Sequence, residues 1–352
     1  MEIMTGNEDP IGVAVIGAGH WGPHLIRNFL DNSATEVLWV IERRDDRREA
    51  LSGRFRSVRF AAEERGALSD PGVEAVVIAT PTSSHYELAK SALESGKHVL
   101  VEKPLTNSVK TARELVEIAS ARDLVLMVGQ VFLFNPAVQE AKRLIDGGAL
   151  GDIYYASMLR TNLGPVRTDV NAAWDLAAHD ISIANYWLRQ QPLTVSAQGR
   201  GWINAGIDDA VFAVIEYEDG ILVHIHASWL NPSKSRFISV VGSDRMITVN
   251  DMDLAEPLRI YDKGVEAVGD SQIHDTFQGF RAQIREGSIT IPKVMLGEPL
   301  RTECDEFISR LKGRGSLVSD GVSGLSVVTV LEAVALSMQR RGIPVSIEEV
   351  RT

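Results

Sequence analysis

The stretch GVAVIGAGHWGPHLIRNFL, Gly12 to Leu30, decides the fold. Its first part is a short β-branched run that predicts a buried strand. Its last part, PHLIRNFL, carries apolar residues at helical spacing with Pro23 in the first turn, where a helix tolerates it. Between them lie Gly17, Gly19 and Gly22. In a strand-turn-helix unit the first glycine permits the tight turn, the second lets the backbone approach a pyrophosphate, and the third lets the helix lie close to the strand. The helix N-terminus then offers unpaired N–H groups to the phosphates. A glycine-rich turn that binds nothing is the alternative, and the position between strand and helix weighs against it.

Outward from this unit the same rhythm continues. EVLWVI, VEAVVIAT, KHVLVE and LVLMVG alternate with helical segments such as HYELAKSALESG and VKTARELVEIAS. Strands buried on both faces read as continuous apolar runs, so the expectation is a doubly wound parallel sheet, an α/β domain over residues 1–133. After Asn135-Pro136 comes one helix, Val138 to Asp146, and then strands of alternating character. Glu218-Asp219-Gly220 separates AVFAVIEY from ILVHIHAS and reads as a hairpin turn. RFISVVG and MITVN follow, and RTECDEFISRL and GLSVVTVLEAVALSMQRRG return to helical period, with Gly342 and Pro344 as stop signals. Residues 134–352 are therefore expected to form an α+β domain with an open-faced, mostly antiparallel sheet.

The chain has 352 residues, enough for two cores. Its 36 Lys and Arg against 47 Asp and Glu give a net charge of -11 and speak against a nucleic-acid surface. The single cysteine, Cys304, excludes an internal disulfide and a cysteine metal cluster, and reads as a packed side chain. No apolar run reaches the roughly 20 residues of a membrane span, and the start MEIMTGNEDP lacks a signal-peptide core. The expectation is a cytoplasmic protein with no membrane and no metal. His224 and His226 alternate along a strand without a companion to complete a tetrahedral set.

Glu42, at the end of the second strand, can accept hydrogen bonds from the ribose hydroxyls of NAD, or be a solvated charge. Arg43 and Arg44 could pair with the 2'-phosphate of NADP, which the carboxylate would repel, so NAD is favoured. Thr80-Pro81-Thr82 ends the fourth strand at the same carboxyl edge, where a structural turn accounts for Pro81 equally well. Together with Gly17, Gly19 and Gly22, the expected dinucleotide contacts take in His20, Trp21, His85, Glu102, Lys103 and Gln130.

Glu102-Lys103-Pro104 closes the strand HVLVE, and Pro104 fixes the backbone after the amine. Lys103 is a candidate for proton transfer, or an ordinary exposed lysine. Asp175 and His179, four positions apart in WDLAAHD, share a face if the segment is helical. Oxidising a hydroxyl needs a base while hydride leaves carbon, and His suits that work. Asp175 as a helix cap with His179 packed is the plain alternative, and Asp180 is as eligible a partner.

In combination, the GAGHWG at Gly17, the EKP of Glu102 to Pro104 and the Asp-x-x-x-His of Asp175 and His179 resemble the Gfo/Idh/MocA family of glucose-fructose oxidoreductase and inositol dehydrogenase, over Ile11 to Val345. The resemblance implies that Lys103, Asp175 and His179 gather at the nicotinamide in a cleft. Lys103 would bind or deprotonate the substrate hydroxyl, His179 would be the other acid/base, and Asp175 would orient the substrate or the amine. NLGPVRTDVNAAWDLAAHDISI and SWLNPSKSRFISVVGSDRMI look like the branch that oxidises C3 of UDP-N-acetylglucosamine or its uronic acid, whose keto products are commonly passed to an aminotransferase in surface-polysaccharide assembly. Arg160, Asn162 and Arg167 could then contact a diphosphate or carboxylate. Ala177-Ala178 stands where many members carry Gly or Pro, which leaves the cleft shape open. An NADP-dependent ketosugar reductase, a cyclitol dehydrogenase and a non-catalytic redox sensor are the alternatives. A sensor would need only the glycines and Glu42. A homodimer or homotetramer through the open sheet is expected.

Overall fold

The computed structural model describes residues 9–265 and 284–351. They pack as two compact units, one of residues 9–131 with Glu298–Val328, the other of the remainder.

The first unit is built on β1 (Ile11–Ile16), β2 (Thr35–Ile41), β3 (Arg59–Ala61), β4 (Ala75–Ile78), β5 (His98–Glu102) and β6 (Leu126–Gly129). All pair parallel, in the order β3-β2-β1-β4-β5-β6. Val13, Val15, Val76, Val77, Val99 and Val101 are fully buried, as a sheet covered on both faces demands. The order reverses between β1 and β4, and this switch point is where such sheets open a crevice at their carboxyl ends. The helices α1 (Gly22–Asp31), α2 (Asp45–Arg54), α3 (Arg65–Leu68), α4 (His85–Glu94) and α5 (Val109–Ala121) alternate with the strands. Ser108 starts α5 by accepting the Thr111 N–H at 3.3 Å.

The helix Pro299–Leu311 also belongs here, although the sequence reads it with the second half. Its Phe307 meets Phe29 of α1 edge-on, centroids 6.4 Å apart, and Asn32 donates to Asp305 at 2.8 Å. Periodicity shows that a helix has an apolar face, not which distant partner covers it. Residues 319 and 320 pair with β6, the Val128 N–H donating to the Ser319 carbonyl at 2.8 Å, which covers an otherwise open edge.

The second unit starts with α6 (Pro136–Asp146), capped by Asn135, whose side chain accepts the Ala137 N–H at 2.9 Å. Then follow β7 (Ile153–Leu163), a π-helical turn (Ala173–Ala177), α7 (Ala178–Leu188), β8 (Pro192–Arg200), β9 (Ala210–Tyr217), β10 (Leu222–Ser228), β11 (Leu230–Gly242), β12 (Met246–Asn250) and β13 (Leu258–Tyr261). With β16 (Ile289–Thr290) and β17 (Val345–Ser346) they form a nine-stranded sheet ordered β16-β13-β12-β11-β7-β10-β9-β8-β17, while β14 (Gly264–Val265) pairs with β15 (Ile284–Arg285). Among the described residues only β7 and β10 run parallel in it. The β9–β10 hairpin turns through Asp219 and Gly220, both at positive φ. In numbering order, Pro299–Leu311 is α8, Gly321–Gln339 is α9 and Ile347–Arg351 is α10.

One face of the large sheet is dry: Ala213, Ile215, Val223, Ile225, Ala156, Met158, Ile238 and Val240 are at most 5% exposed. Behind it, Trp187 of α7 donates to the Val138 carbonyl of α6 at 3.0 Å, and the buried Tyr217 hydroxyl donates to Asn185 at 2.7 Å. Helix α9 is long and apolar enough to cross a membrane by length and composition, yet Val328, Val330, Leu331 and Ala333 along it are fully buried in the protein.

Candidate functional site

On the first unit the glycines divide by role. Gly17 stands at φ 92°, and a Cβ there would lie 2.6 Å from the Ala79 carbonyl oxygen; one on Gly22 would lie 2.3 Å from that of Gly17. The protein itself requires both. Around Gly19 the nearest atom to an added Cβ is Nη1 of Arg47, at 3.6 Å. None of the described residues crowds this position, so its bare backbone suits an approaching ligand. Helix α1 opens without a side-chain cap; Pro23 has no N–H and the His24 N–H donates to the Trp21 carbonyl at 3.0 Å, so the N–H of Gly22 is the one its first turn can offer to an anion. An open cradle over Gly19, facing an uncapped helix start, fits a dinucleotide pyrophosphate.

Glu42, 8% exposed, accepts the Ala18 N–H at 3.1 Å and the Arg44 N–H at 2.9 Å. It therefore anchors the glycine loop, with lone pairs left over for hydroxyl donors. Arg44 is paired with Asp46 at 2.5 Å, and Arg43 is exposed. Arg47, which sequence reasoning missed, places its guanidinium beside the loop. His20 and Trp21 are exposed and stack edge-on with each other and with His24.

At the end of β4, Thr80 is half-buried, Pro81 exposed and Thr82 buried. His85 is 1% exposed and lies between two backbone carbonyls, and Gln130 is 4% exposed. Lys103 is half-buried at the end of β5. The carboxyl group of Glu102 lies over Gly129, where a Cβ would stand 3.2 Å from it. Burial pushes Glu102 up to about 7 against the pull of Lys103. Glu303 of α8, which sequence reasoning did not single out, is fully buried with no donor to either oxygen among the described residues; burial and the charge of Glu102 hold it well above the ordinary carboxylate range.

On the second unit Asp175 lies in the π-helical turn and His179 in the first turn of α7. The join is therefore not the plain α-helix that the spacing implies; single π-turns inside helices are frequent at functional sites. Asp175 is held from two sides, by Arg167 Nη1 at 3.1 Å and by the indole N–H of Trp229 at 3.0 Å. Arg167 also grips Asp169 at 2.6 and 2.9 Å. Trp229 is fully buried, and its role had no signal beyond its place in SWLNP.

His179 meets the ring of Phe132 edge-on, centroids 4.7 Å apart. The same ring carries the guanidinium of Arg160 at 4.3 Å and that of Arg236 at 5.1 Å. Arg160 is 4% exposed and bound to buried Asp180 through three contacts of 2.8 to 3.0 Å, so its charge is already neutralised. Burial raises Asp180 despite that pairing. Arg236, half-buried, pairs with Asp251 at 2.7 Å. Asn162 donates to the Gly164 carbonyl at 2.5 Å. The structure thus gathers Arg167, Asp175 and Trp229, and sets His179, Phe132, Arg160 and Arg236 together. It leaves Asn162 on a local turn. Among the described residues no three His, Cys, Asp or Glu side chains meet as a metal site would need.

Residues 11–130 match the model of an oxidoreductase family with an NAD-binding Rossmann fold, named GFO/IDH/MocA, and residues 138–248 match the C-terminal domain of the same family. The NAD(+)-dependent scyllo-inositol 2-dehydrogenase of Bacillus subtilis is 30% identical over 236 residues, 64% of this chain and 69% of that protein. The UDP-N-acetylglucosamine 3-dehydrogenase of Acidithiobacillus ferrooxidans is 24% identical over 325 residues, 92% and 96% of the two chains; its solved structure superposes with a TM-score of 0.79 over 95% of this chain and 99% of that one. The WlbA dehydrogenase from Bordetella pertussis, solved with NADH and UDP-GlcNAcA, shares the fold at a TM-score of 0.80 and 18% identity, covering 96% of this chain and 98% of its own.

Proposed function

Because the chain belongs to the Gfo/Idh/MocA family of NAD(P)-dependent oxidoreductases, whose dehydrogenases act on CH–OH groups of sugars and inositols, we propose that it is an NAD-dependent dehydrogenase of a nucleotide sugar, oxidising C3 of a UDP-N-acetylhexosamine or its uronic acid. The observation that carries this reading is the reach of the similarity. It extends over 92% of the chain to a UDP-N-acetylglucosamine 3-dehydrogenase, against 64% to the inositol enzyme. Because identity to the inositol enzyme is higher, 30% against 24%, a cyclitol substrate is the second reading.

The nicotinamide, when bound, accepts the hydride from carbon. The chain handles the proton. In this reading Lys103 binds the hydroxyl or, in its neutral form, takes its proton, His179 is the second acid/base, and Asp175, held by Arg167 and Trp229, orients the substrate. Glu42 meets the ribose hydroxyls, and its carboxylate disfavours a 2'-phosphate, while Arg47 beside the glycine loop faces the pyrophosphate. Self-association occurs through the exposed face of the nine-stranded sheet.

The test is nicotinamide reduction by the purified protein with NAD or NADP. The panel holds UDP-N-acetylglucosamine, its uronic acid, scyllo- and myo-inositol and glucose, with Lys103→Ala beside each. Turnover of a UDP-sugar with NAD, lost in the variant, is the expected result. Turnover confined to inositols overturns the substrate assignment, and a preference for NADP overturns the cofactor assignment.

A further inference from the structure

His85 opens α4 almost without exposure, and both ring nitrogens face carbonyl oxygens. Nδ1 lies 2.9 Å from that of Pro104 and Nε2 lies 2.9 Å from that of Thr80. Two acceptors pose a problem for one imidazole. The neutral ring has a single N–H, so one contact is a hydrogen bond and the other sets a lone pair against a carbonyl; only the imidazolium satisfies both. Pro104 follows Lys103, and Thr80 lies two residues beyond the end of β4, beside Gly17 of the glycine loop. One buried ring thus ties the segment that carries Lys103 to the segment of Thr80, both at the carboxyl edge of the first unit's sheet.

We propose that His85 is the positioning residue for Lys103, holding the Pro104 carbonyl through Nδ1–H at all times and the Thr80 carbonyl through Nε2–H only while the ring carries its second proton. The order of release follows from solvent. The Pro104 contact is buried, so an unpaired carbonyl there has no substitute donor, whereas the Thr80 contact is part-buried and water can replace the ring. The surroundings of the ring bear on when this happens. Burial and the charge of Lys103 act against the second proton, the carbonyls act for it, and the net displacement is below the ordinary histidine value. Lys103, which directly follows β5, is the charged group acting on the ring; on its own helix, Tyr86 and Lys90 are turned to Glu114 of α5, each at 2.7 Å. The neutral ring is therefore the working form at neutral pH, tied to Pro104 and released from Thr80.

The inference rests on the reading that Lys103 serves the reaction, and its test needs no substrate. Two conservative variants separate the ties, since an Asn amide nitrogen stands near Nδ1 and a Gln amide nitrogen near Nε2. The lysines are methylated reductively with 13C-formaldehyde, and the Lys103 signal is assigned by its absence in Lys103→Arg. His85→Asn is expected to keep the Lys103 titration midpoint, and His85→Gln to move it by roughly half a pH unit or more. Equal displacement by both variants, or by neither, overturns the proposal. Should neither variant fold, 15N spectra of the wild-type imidazole decide: a neutral ring protonated at Nε2 is incompatible with the inference. Silence of the enzyme toward every sugar would strike the proposed function and leave these signals intact.

Discussion

Trp229 offers a clean handle on Asp175, because it contributes one directed bond. Its indole N–H lies 3.0 Å from a carboxylate oxygen and its ring is fully buried. Trp229→Phe keeps most of the packing and removes the donor. A hydrogen bond to a charged group contributes about 1.5–3 kcal/mol, so turnover should fall roughly ten- to a hundredfold with the fold retained. Unchanged kcat with a normal melting temperature would remove Asp175 orientation from the mechanism. Glu303 makes a different kind of prediction. It and Glu102 have folded-state pKa values raised above their ordinary 4.5, Glu102 to about 7. The folded chain thus keeps protons that the unfolded chain loses, so the stability associated with Glu102 is complete below about 4.5 and is lost as pH rises through about 7, and that associated with Glu303 falls in the same direction. Glu303→Gln removes one ionisation and should flatten that decline, so that the variant is more stable than wild type at pH 8. Thermal melts across pH would show parallel curves for variant and wild type if the buried pair were irrelevant. Neither Trp229 nor Glu303 was legible in the sequence: their roles come from atoms that meet across long chain separations.

The glycine loop, read from spacing alone, separates at the level of the element into two structural glycines and one open one. Gly22→Ala places a methyl group 2.3 Å from a backbone oxygen, where nothing flexible can yield, and should destabilise the first unit by about 1–3 kcal/mol. Gly19→Ala meets only the end of Arg47 at 3.6 Å. It should leave chemical denaturation unchanged within about 0.5 kcal/mol while weakening NADH binding at least about tenfold, as followed by nicotinamide fluorescence. Equal affinity in Gly19→Ala would mean that the pyrophosphate does not lie over this loop. The elements of the first sheet were legible because strands buried on both faces have no polar side to blur their runs. The π-helical turn was not, since Asp175 and His179 keep the same spacing whether the turn closes at four residues or five. The parallel pairing of β7 with β10 was hidden for another reason: α7, β8 and β9 intervene, and no local signal marks which strand a long connection returns to.

At the scale of the whole molecule the sequence shows a change of period near Asn135, but not the placement of α8 with the first unit, because amphipathicity names a face and not its partner. The second sheet has one consequence for assembly that its alternation does make visible. Opposite the dry face, the strands present rows that cross the sheet in register: Leu222 beside Tyr155 and Glu216, His224 beside Val214 and Ser157, His226 beside Phe212 and Leu159. Tyr155, Phe212 and Leu222 are each 47% exposed and Val214 is 40% exposed, with His226 stacked on Phe212 at 4.3 Å. A single chain gains nothing from large apolar side chains on an open face, whereas a second copy docked there removes them from water at about 25 cal/mol per Å². Such a contact is self-complementary about a two-fold axis, so one substitution acts twice in each interface. Phe212→Glu places like charges opposite or near one another there, while leaving the dry face and the glycine loop untouched. Sedimentation should show wild-type protein as a dimer or tetramer and the variant shifted by at least one halving of mass at the same concentration, with its NADH affinity retained. An unshifted variant would place the subunit contact elsewhere, and a wild-type monomer would leave the exposed rows without the partner assigned to them.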